Sequence, residues 1–361
     1  MKKTLLTICL VWMCFSLSAQ KIIDLSGKWS FSIDRQDNGE KEKWFSHTLN
    51  DFINLPGSMP EKLKGDEVTA KTQWTGSLYD SSYYYNPYME KYRKEGNIKF
   101  PFFLTPDKHY VGAAWYQKEV NIPADWKGER ILLFLERPHI ETTVWVNGQK
   151  TGMQNSLCVP HQYDITHYVR PGKCTITIRV DNRIKEINVG PDSHSITDQT
   201  QGNWNGIVGR ICLQTTPKTY FDDIQIYPEP EQKLARVKVV IKGTGTAKVK
   251  LSAESFNTDK KHIVPAIQQE IKLNKGVTET EMVLPMGNDM LLWDEFHPAL
   301  YKLKAEVTNG KKTEIKEIQF GMRRFEIKGK WFYVNGRKTM LRGTVENCDF
   351  PLTGYAPMDV A

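Results

Sequence analysis

Apolar and polar residues alternate with a period of two over much of the chain. Runs of this kind, rich in β-branched residues, occur at 142–146 (TTVWV), 174–180 (CTITIRV) and 237–241 (VKVVI). Such alternation predicts strands with one buried face, and amphipathic windows of helical length are scarce. Many short strands at roughly ten-residue spacing indicate antiparallel β-sandwiches. The fold class predicted from the pattern is therefore mainly β.

Asn-Gly pairs mark the turns between these strands. Of the five pairs in the chain, the ones at Asn147, Asn309 and Asn335 lie between apolar runs. A type I′ turn needs positive φ at both central residues, which Asn and Gly tolerate. We therefore predict three hairpins, centred on Asn147-Gly148, Asn309-Gly310 and Asn335-Gly336.

The strand-rich sequence divides into blocks. The first, residues 20–217, contains a polar, Tyr-rich interruption at 74–92 that is typical of a long loop. The second, 218–320, has the length of an immunoglobulin-like sandwich of about 100 residues. The last, 321–361, opens with a predicted hairpin at 324–334 and continues with a predicted strand at 339–342.

The first 19 residues have the features of a secretory signal peptide. Lys2 and Lys3 precede an apolar stretch at 5–17, and the small pair Ser18-Ala19 follows it. We therefore expect export, to the periplasm or the medium. Thirteen residues are too few to cross about 30 Å of hydrocarbon, so no membrane span is expected.

Four cysteines remain after this segment, and they lack the close pairs of a zinc or redox site. They are too sparse for a disulfide scaffold, so we interpret them mostly as small buried hydrophobic residues. An oxidising compartment permits one disulfide, and its pairing is left open. The four are Cys158, Cys174, Cys212 and Cys348.

The charge balance excludes some partners. The formal charge is +7, and removal of Lys2 and Lys3 lowers it to +5, with no run of five or more Lys or Arg. Such a weak excess does not predict nucleic-acid binding. Aromatic residues make up 11% of the chain, and their rings suit both sandwich cores and sugar faces. The core explanation is preferred for Trp29, Trp115, Trp126 and Trp145.

Several short motifs, in this order and spacing, resemble one family. The chain is similar to glycoside hydrolase family 2, the β-galactosidase and β-glucuronidase family, over nearly its whole length after residue 19. The motifs are SGKW at 26–29, GAAWY at 112–116, VNIPADWKG at 120–128, VWVNG at 144–148, VDN at 180–182, GNWNGIVGRI at 202–211, LW at 292–293, PALY at 298–301, FGMRRFE at 320–326, VNG at 334–336 and LRG at 341–343.

The resemblance implies an architecture and an activity. It implies a jelly-roll sugar-binding domain at 20–217, an immunoglobulin-like domain at 218–320 and a truncated start of a catalytic (β/α)8 barrel at 321–361. The complete enzyme would hydrolyse terminal β-galactosyl or β-glucuronyl bonds of an oligosaccharide or polysaccharide. The family's two catalytic glutamates lie deep in the barrel, of which only 41 residues are present. No catalytic residue is therefore assigned, and the chain alone is expected to be inactive.

Candidate sugar contacts fall in two segments. Three glycines and two asparagines within 202–209 predict a poor strand and a good pocket edge. In the resembling family the equivalent loop reaches towards the substrate, which selects Asp198, Asn203 and Trp204. After the first barrel strand, where family members often place a histidine, Asn347 stands instead. Arg342, Asn347 and Asp349 are the candidates there.

Several alternatives remain open. The 202–209 loop is also explained as a seal at a domain interface. No cofactor or metal site is predicted, because the histidines are scattered and no phosphate-binding or nucleophile-elbow motif occurs. The chain as a whole is also consistent with a non-catalytic carbohydrate-binding module, or with an inactive truncated product. The sugar, its linkage and the oligomeric state are left open.

Overall fold

The structure, a computed structural model, describes residues 21–75, 82–99, 106–157, 159–185 and 202–344. The predicted signal peptide at 1–19 lies outside these residues. The fold is mainly β, as predicted, with 56% of the described residues in strands and 6% in helices. The chain forms two compact units, one built on Lys21–Thr216 and the other on Pro217–Arg342.

The N-terminal unit consists of strands joined by loops and short helical turns. Among its described residues, α-helix α1 spans Ser82–Tyr85, and 3-10 helices occur at Trp44–Ser46, Pro87–Tyr92 and Ala124–Trp126. The described part of the Tyr-rich interruption at 74–92 thus contains helical turns and loop. The strands are β1 Ile22–Asp24, β2 Gly27–Asp34, β3 Asp51–Leu55, β4 Gly57–Ser58, β5 Asp66–Glu67, β6 Lys108–His109, β7 Ala113–Ile122, β8 Arg130–His139, β9 Glu141–Val146, β10 Gln149–Asn155, β11 His161–Asp164, β12 Gly172–Asp181 and β13 Gly206–Thr216.

Two antiparallel sheets of the N-terminal unit share one hydrophobic core. The first has the order β1-β13-β8-β11, with β4 also paired to β13, and the second has the order β10-β9-β12-β7-β2-β3. Leu133, Leu135 and Ile211 from the first sheet belong to the same buried cluster as Ile176 and Ile178 from the second. Burying each of these side chains contributes about 1.5–3 kcal/mol. The two sheets therefore form a β-sandwich.

The buried tryptophans confirm the core explanation, but they occupy two separate clusters. Trp29 and Trp126 lie in the main core. Trp115 and Trp145 form a second cluster with Trp44, because successive side chains of a strand point to opposite faces and Trp115 follows the core residue Ala114. The indoles of Trp115 and Trp145 are stacked, with their ring centroids 5.0 Å apart. The second sheet thus buries residues on both of its faces.

Two of the three predicted Asn-Gly hairpins are confirmed with the predicted centre, and the third forms with its turn one residue later. Asn147-Gly148 joins β9 to β10, and both residues have positive φ, 50° and 76°, as a type I′ turn requires. In the C-terminal unit, Asn335-Gly336 has nearly the same φ values and also joins paired strands. At the third site Asn309 pairs with Lys312, so the turn itself begins at Gly310.

The C-terminal unit contains ten strands and a 3-10 turn at Pro230–Gln232. The strands are β14 Tyr220–Glu229, β15 Leu234–Lys242, β16 Gly245–Phe256, β17 Ile263–Leu273, β18 Val277–Pro285, β19 Leu300–Asn309, β20 Lys312–Phe320, β21 Phe325–Lys328, β22 Trp331–Val334 and β23 Arg337–Thr339.

Seven of these strands form a second sandwich. One sheet has the order β14-β15-β18 and the other the order β17-β16-β19-β20. Val237 and Val239 of β15 share a buried cluster with Val249 of β16 and Leu303 of β19. In β15 every second residue is buried, as the sequence pattern predicts for a strand with one face in the core.

Residues 325–339 form an antiparallel meander, β21-β22-β23. The predicted strand at 339–342 is wrong, because β23 ends at Thr339 and residues 340–344 contain no strand. The two-residue turn at Asn335-Gly336 sets the register so that Arg337 pairs with Val334 and Thr339 with Phe332. In this register Met340 would stand opposite Trp331, the first residue of β22, but the pairing stops one residue earlier, at Thr339. The start of a (β/α)8 barrel stays a prediction.

Candidate functional site

The candidate site of the N-terminal unit lies where residues 202–205 lead into β13. The expectation that 202–209 makes a poor strand is wrong for its second half, because β13 begins at Gly206. A Cβ at Gly206 would lie 2.4 Å from the carbonyl oxygen of Gly57, and the φ of Gly206 is 149°. Glycine is thus required there for close approach to β4.

Asn205 holds this segment in place through its side chain, which is fully buried. Its Nδ2 donates to the carbonyl oxygens of Gly112 and Val180, both at 2.9 Å. Its Oδ1 accepts from the hydroxyl of Tyr116 at 2.7 Å. One amide therefore ties this segment to β7 and to β12, and burial makes each bond costly to lose.

Asn182 and Asn203 extend the same network. The Oδ1 of Asn182 accepts from the backbone N–H of Gly112 at 2.8 Å, and its Nδ2 donates to the carbonyl of Tyr110 at 2.9 Å. The Nδ2 of Asn203 donates to the carbonyl of Asn182 at 3.0 Å and to the Thr75 hydroxyl at 2.9 Å. We refer to Asn182, Asn203 and Asn205 as the asparagine network. It fixes segment 202–205 against the ends of β7 and β12.

Trp204 lies between two members of this network and is half-buried. Its indole stacks on the imidazole of His139, with centroids 4.6 Å apart and an angle of 20° between the planes. A ring held in this way loses little conformational freedom when a ligand packs against it. Trp204 can therefore serve as a preordered aromatic platform of the kind that suits a sugar face.

A cluster of charged groups adjoins the network at the end of β12. Asp181 is fully buried and contacts the Nη2 atoms of Arg179 at 3.0 Å and Arg183 at 2.6 Å, and the Nζ of Lys185 at 2.8 Å. Burial alone would raise the pKa of Asp181, but hydrogen bonds from Arg183 and Lys185 hold it well below its usual range. Asp181 is therefore a permanent anion that orders the chain on either side of Asn182.

Sequence reasoning located Asn203 and Trp204 but missed the network around them. Asn182 and Asn205 lie within the VDN and GNWNG motifs, which supplied the available signal. Nothing in those motifs indicates which groups the two amides bind, because the backbone N–H of Gly112 and the hydroxyl of Tyr116 are about 70 to 90 residues away. The role of Asn203 and Trp204 as sugar contacts stays a prediction.

The other predicted site residues lie elsewhere. Arg342 is exposed and follows β23 in the C-terminal unit. Asp198, Asn347 and Asp349 lie outside the described residues, as do Cys158 and Cys348. Cys174 and Cys212 are free thiols, and both are buried.

Among the described residues, the carboxyl groups whose pKa departs clearly from its ordinary value all have a lowered pKa. A backbone hydrogen bond from Arg210 lowers the pKa of Glu136, and a hydrogen bond from Arg324 lowers that of Glu231. A general acid needs the opposite shift. Over the described ranges, no cluster of three or more His, Cys, Asp or Glu could hold a metal ion. No helix among the described residues has the length and apolar character that crossing a membrane requires.

Comparison with known families identifies both units. Residues 22–217 match the glycosyl hydrolases family 2 sugar binding domain, and residues 219–323 match a second domain of glycosyl hydrolases family 2. Together these matches cover most of the chain. The chain belongs to glycoside hydrolase family 2, as the sequence motifs predicted.

Two curated relatives match over nearly the whole chain but are about twice as long. The β-glucuronidase of Paenibacillus borealis is 23% identical over 355 residues, which cover 93% of this chain and 51% of that protein. The β-galactosidase large subunit of Latilactobacillus sakei is 24% identical, with 91% and 51% covered. The chain thus spans about half the length of these relatives.

Solved structures show the same fold. The crystal structure of Ruminococcus gnavus β-glucuronidase matches with a TM-score of 0.60 at 19% identity, over 90% of this chain and 49% of that chain. A β-glucuronidase from an uncultured Clostridium sp. matches with a TM-score of 0.59 at 21% identity, over 89% and 48%.

Proposed function

We propose that the chain is the non-catalytic part of an exported glycoside hydrolase whose complete form removes terminal β-glucuronyl or β-galactosyl units. Membership of family 2 across 22–323 is the observation that carries this proposal. The activities of the relatives supply the two sugars, since both β-glucuronidases and a β-galactosidase match over more than nine-tenths of the chain. Oligosaccharides or polysaccharides with these terminal units are the proposed substrates.

The chain alone is proposed to be inactive for a chemical reason. A retaining glycosidase needs two carboxyl groups about 5–5.5 Å apart, one ionised as nucleophile and one protonated as acid. Removal of such paired groups eliminates most of the electrostatic and covalent assistance to the reaction. Cationic partners keep carboxylates such as Asp181 ionised in this chain, which suits structure rather than proton transfer.

Turnover assays test the inactivity directly. The purified full chain is incubated with aryl β-glucuronide and aryl β-galactoside, beside the Paenibacillus borealis β-glucuronidase as positive control and a mock purification as negative control. We expect no release of the aryl alcohol above the mock preparation. Turnover that persists through repurification would overturn the assignment of the chain as non-catalytic.

The second candidate function is a carbohydrate-binding module, and the stacked, half-buried Trp204 favours it. A site with one platform and few converging polar groups should bind weakly, with a dissociation constant of about 1 mM or higher. NMR titration with galactose, glucuronate and their oligosaccharides would detect such binding. Trp204→Ala should abolish it, whereas Trp331→Ala, a change to a half-buried Trp of the C-terminal unit, should leave it unchanged.

Equal binding by the wild-type protein and Trp204→Ala would remove segment 202–205 from the sugar site. Absence of both binding and turnover would favour the remaining alternative, an inactive truncated product. Export is tested separately by N-terminal sequencing of the protein recovered from the periplasm and the medium. A mature protein beginning at Gln20 is expected, and an uncleaved chain in the cytoplasm would contradict the proposal.

A further inference from the structure

A cleft in the C-terminal unit lies between the loop before β19 and the meander β21-β22-β23. Its volume is about 220 Å³, below the roughly 300–1,000 Å³ of a typical drug-sized site, so it has room for one ring rather than an oligomer. The walls are apolar and aromatic, and two arginines stand among them. The residues that carry the argument are Trp293, Arg323, Phe325, Val334, Arg337 and Leu341.

The walls of this cleft are tied together by hydrogen bonds. The backbone N–H of Trp293 donates to the carbonyl of Met322 at 2.9 Å. The Nδ2 of Asn335 donates to the carbonyl of Trp293 at 2.9 Å, while its Oδ1 accepts from the backbone N–H of Arg324 at 2.9 Å. The indole of Trp293 is therefore fixed relative to the meander, and the cleft is preformed.

Both arginines of the cleft use an aromatic ring as a support. The guanidinium carbon of Arg323 lies 4.6 Å from the ring centroid of Trp293, and that of Arg337 lies 4.9 Å from the centroid of Phe296. Stacking of this kind occupies a face of the guanidinium and leaves its N–H groups, which lie in the plane, able to donate. The two cations are thus oriented while their hydrogen-bonding edges stay largely available.

Nearby carboxylates do not use all the N–H groups of Arg323 and Arg337. Within the described ranges the structure gives Arg323 no carboxylate partner, and Arg337 only a loose one, with 3.6 Å between its Nη2 and the Oε1 of Glu295. The neighbouring Arg324 differs, because its Nη1 lies 2.8 Å from Glu231 and its Nη2 also pairs with Glu326. Two arginines against one glutamate leave the cleft with a net positive charge.

We propose that this cleft binds a carboxylate-bearing sugar ring, a uronate. The stacked guanidinium groups present paired donors that match the two oxygens of a carboxylate. The half-exposed side chains of Phe325 and Leu341 supply apolar surface for the C–H face of the ring. This site lies in the C-terminal unit and does not depend on the proposed hydrolysis, so its test uses binding alone.

The test is an NMR titration of the full chain with sodium glucuronate, followed through the indole N–H resonance of Trp293. Saturable shifts are expected, with a dissociation constant of about 1–10 mM that rises as salt screens the arginines. Glucose, which lacks the carboxylate, and acetate, which lacks the ring, should each bind at least about fivefold more weakly. These two ligands separate recognition of the whole uronate from recognition of either part.

Two variants at adjacent positions make the assignment specific. Arg323→Gln should weaken glucuronate binding at least about fivefold, because it removes the stacked cation. Arg324→Gln is the matched control, an exposed arginine with its own carboxylate partners outside the cleft, and it should change the affinity less than about twofold. Backbone spectra of both variants verify that they are folded.

Three results would overturn the proposal: no saturable shift of Trp293 at the highest ligand concentration, equal binding of glucose or acetate, or equal effects of Arg323→Gln and Arg324→Gln.

Discussion

Replacement of Asn205 by alanine should destabilise the N-terminal unit strongly. The side chain is fully buried and makes three hydrogen bonds, to the carbonyl oxygens of Gly112 and Val180 and from the hydroxyl of Tyr116. Alanine leaves all three groups buried without this partner. Each orphaned group costs about 1–3 kcal/mol, and partial relaxation brings the expected total to about 3–5 kcal/mol.

Thermal unfolding followed by circular dichroism measures this effect. In a unit of about 200 residues, 1 kcal/mol lowers the melting temperature by roughly 2–4 °C, so a fall of about 10 °C is expected. The matched control is Asn97→Ala, which removes an exposed amide whose Nδ2 donates to the carbonyl of Lys91 at 2.8 Å. It should lower the melting temperature by no more than about 2 °C.

A second substitution separates the hydrogen bonds from simple loss of volume. Asn205→Asp keeps the shape and can still accept from Tyr116, but it cannot donate to Gly112 or Val180. It should be at least as destabilising as alanine at neutral pH, because it also buries a charge beside two carbonyl oxygens. A fall of less than about 2 °C for either Asn205 variant would refute the argument that the asparagine network holds segment 202–205.

Three further predictions concern other buried groups. Burial lowers the pKa of His161, which is neutral in the fold and hydrogen-bonded to Thr142. The free energy of unfolding should therefore be highest above about pH 6.5 and fall below it, because the unfolded chain then binds the proton more readily. Urea unfolding at several pH values measures this, and a profile that does not change with pH would contradict it. Burial raises the pKa of Cys174 to about 11, so a thiol reagent should label it only on unfolding, and rapid labelling of the native protein would be the contrary result. Trp145→Ala should lower the free energy of unfolding by about 3–5 kcal/mol, because it removes the ring that stacks on Trp115. Denaturant unfolding measures this loss, and a value below about 1 kcal/mol would show that the second tryptophan cluster contributes little to stability.

The parts of the fold that follow from local sequence were predictable. Period-two alternation located strands such as β12 and β15, because a strand with one buried face needs it. Asn147-Gly148 and Asn335-Gly336 located hairpins, because few other residues adopt positive φ at both positions. These features depend on residues a few positions apart.

The parts that depend on distant partners were not predictable. Met340 and Leu341 belong to the segment that predicted a strand, but the pairing of β23 with β22 stops at Thr339, before either residue joins the sheet. Gly206 was interpreted as part of a pocket edge, whereas its approach to Gly57, which is far away in the sequence, makes it part of a strand. A glycine-rich segment signals close packing without identifying the partner.

The candidate site shows the same division. Its motifs were recognisable, and they led to the family that the comparisons identify. The hydrogen bonds of Asn182, Asn203 and Asn205 were not, since an asparagine in a loop is equally consistent with solvent, a ligand or a buried backbone group. The structural role of Asp181 as a buried anion likewise became apparent only from the positions of its three cationic partners in the structure.

We propose that this chain carries the sandwich domains of a family 2 glycosidase without its nucleophile, and covalent trapping tests this proposal most directly. A retaining enzyme forms a glycosyl-enzyme intermediate, which activated 2-deoxy-2-fluoro glycosides cause to accumulate. The chain is incubated with the glucuronyl and galactosyl reagents, and its intact mass is measured, with the Paenibacillus borealis enzyme as the positive control. The account predicts an unchanged mass for this chain, and a stoichiometric adduct localised to one of its carboxylates would contradict it.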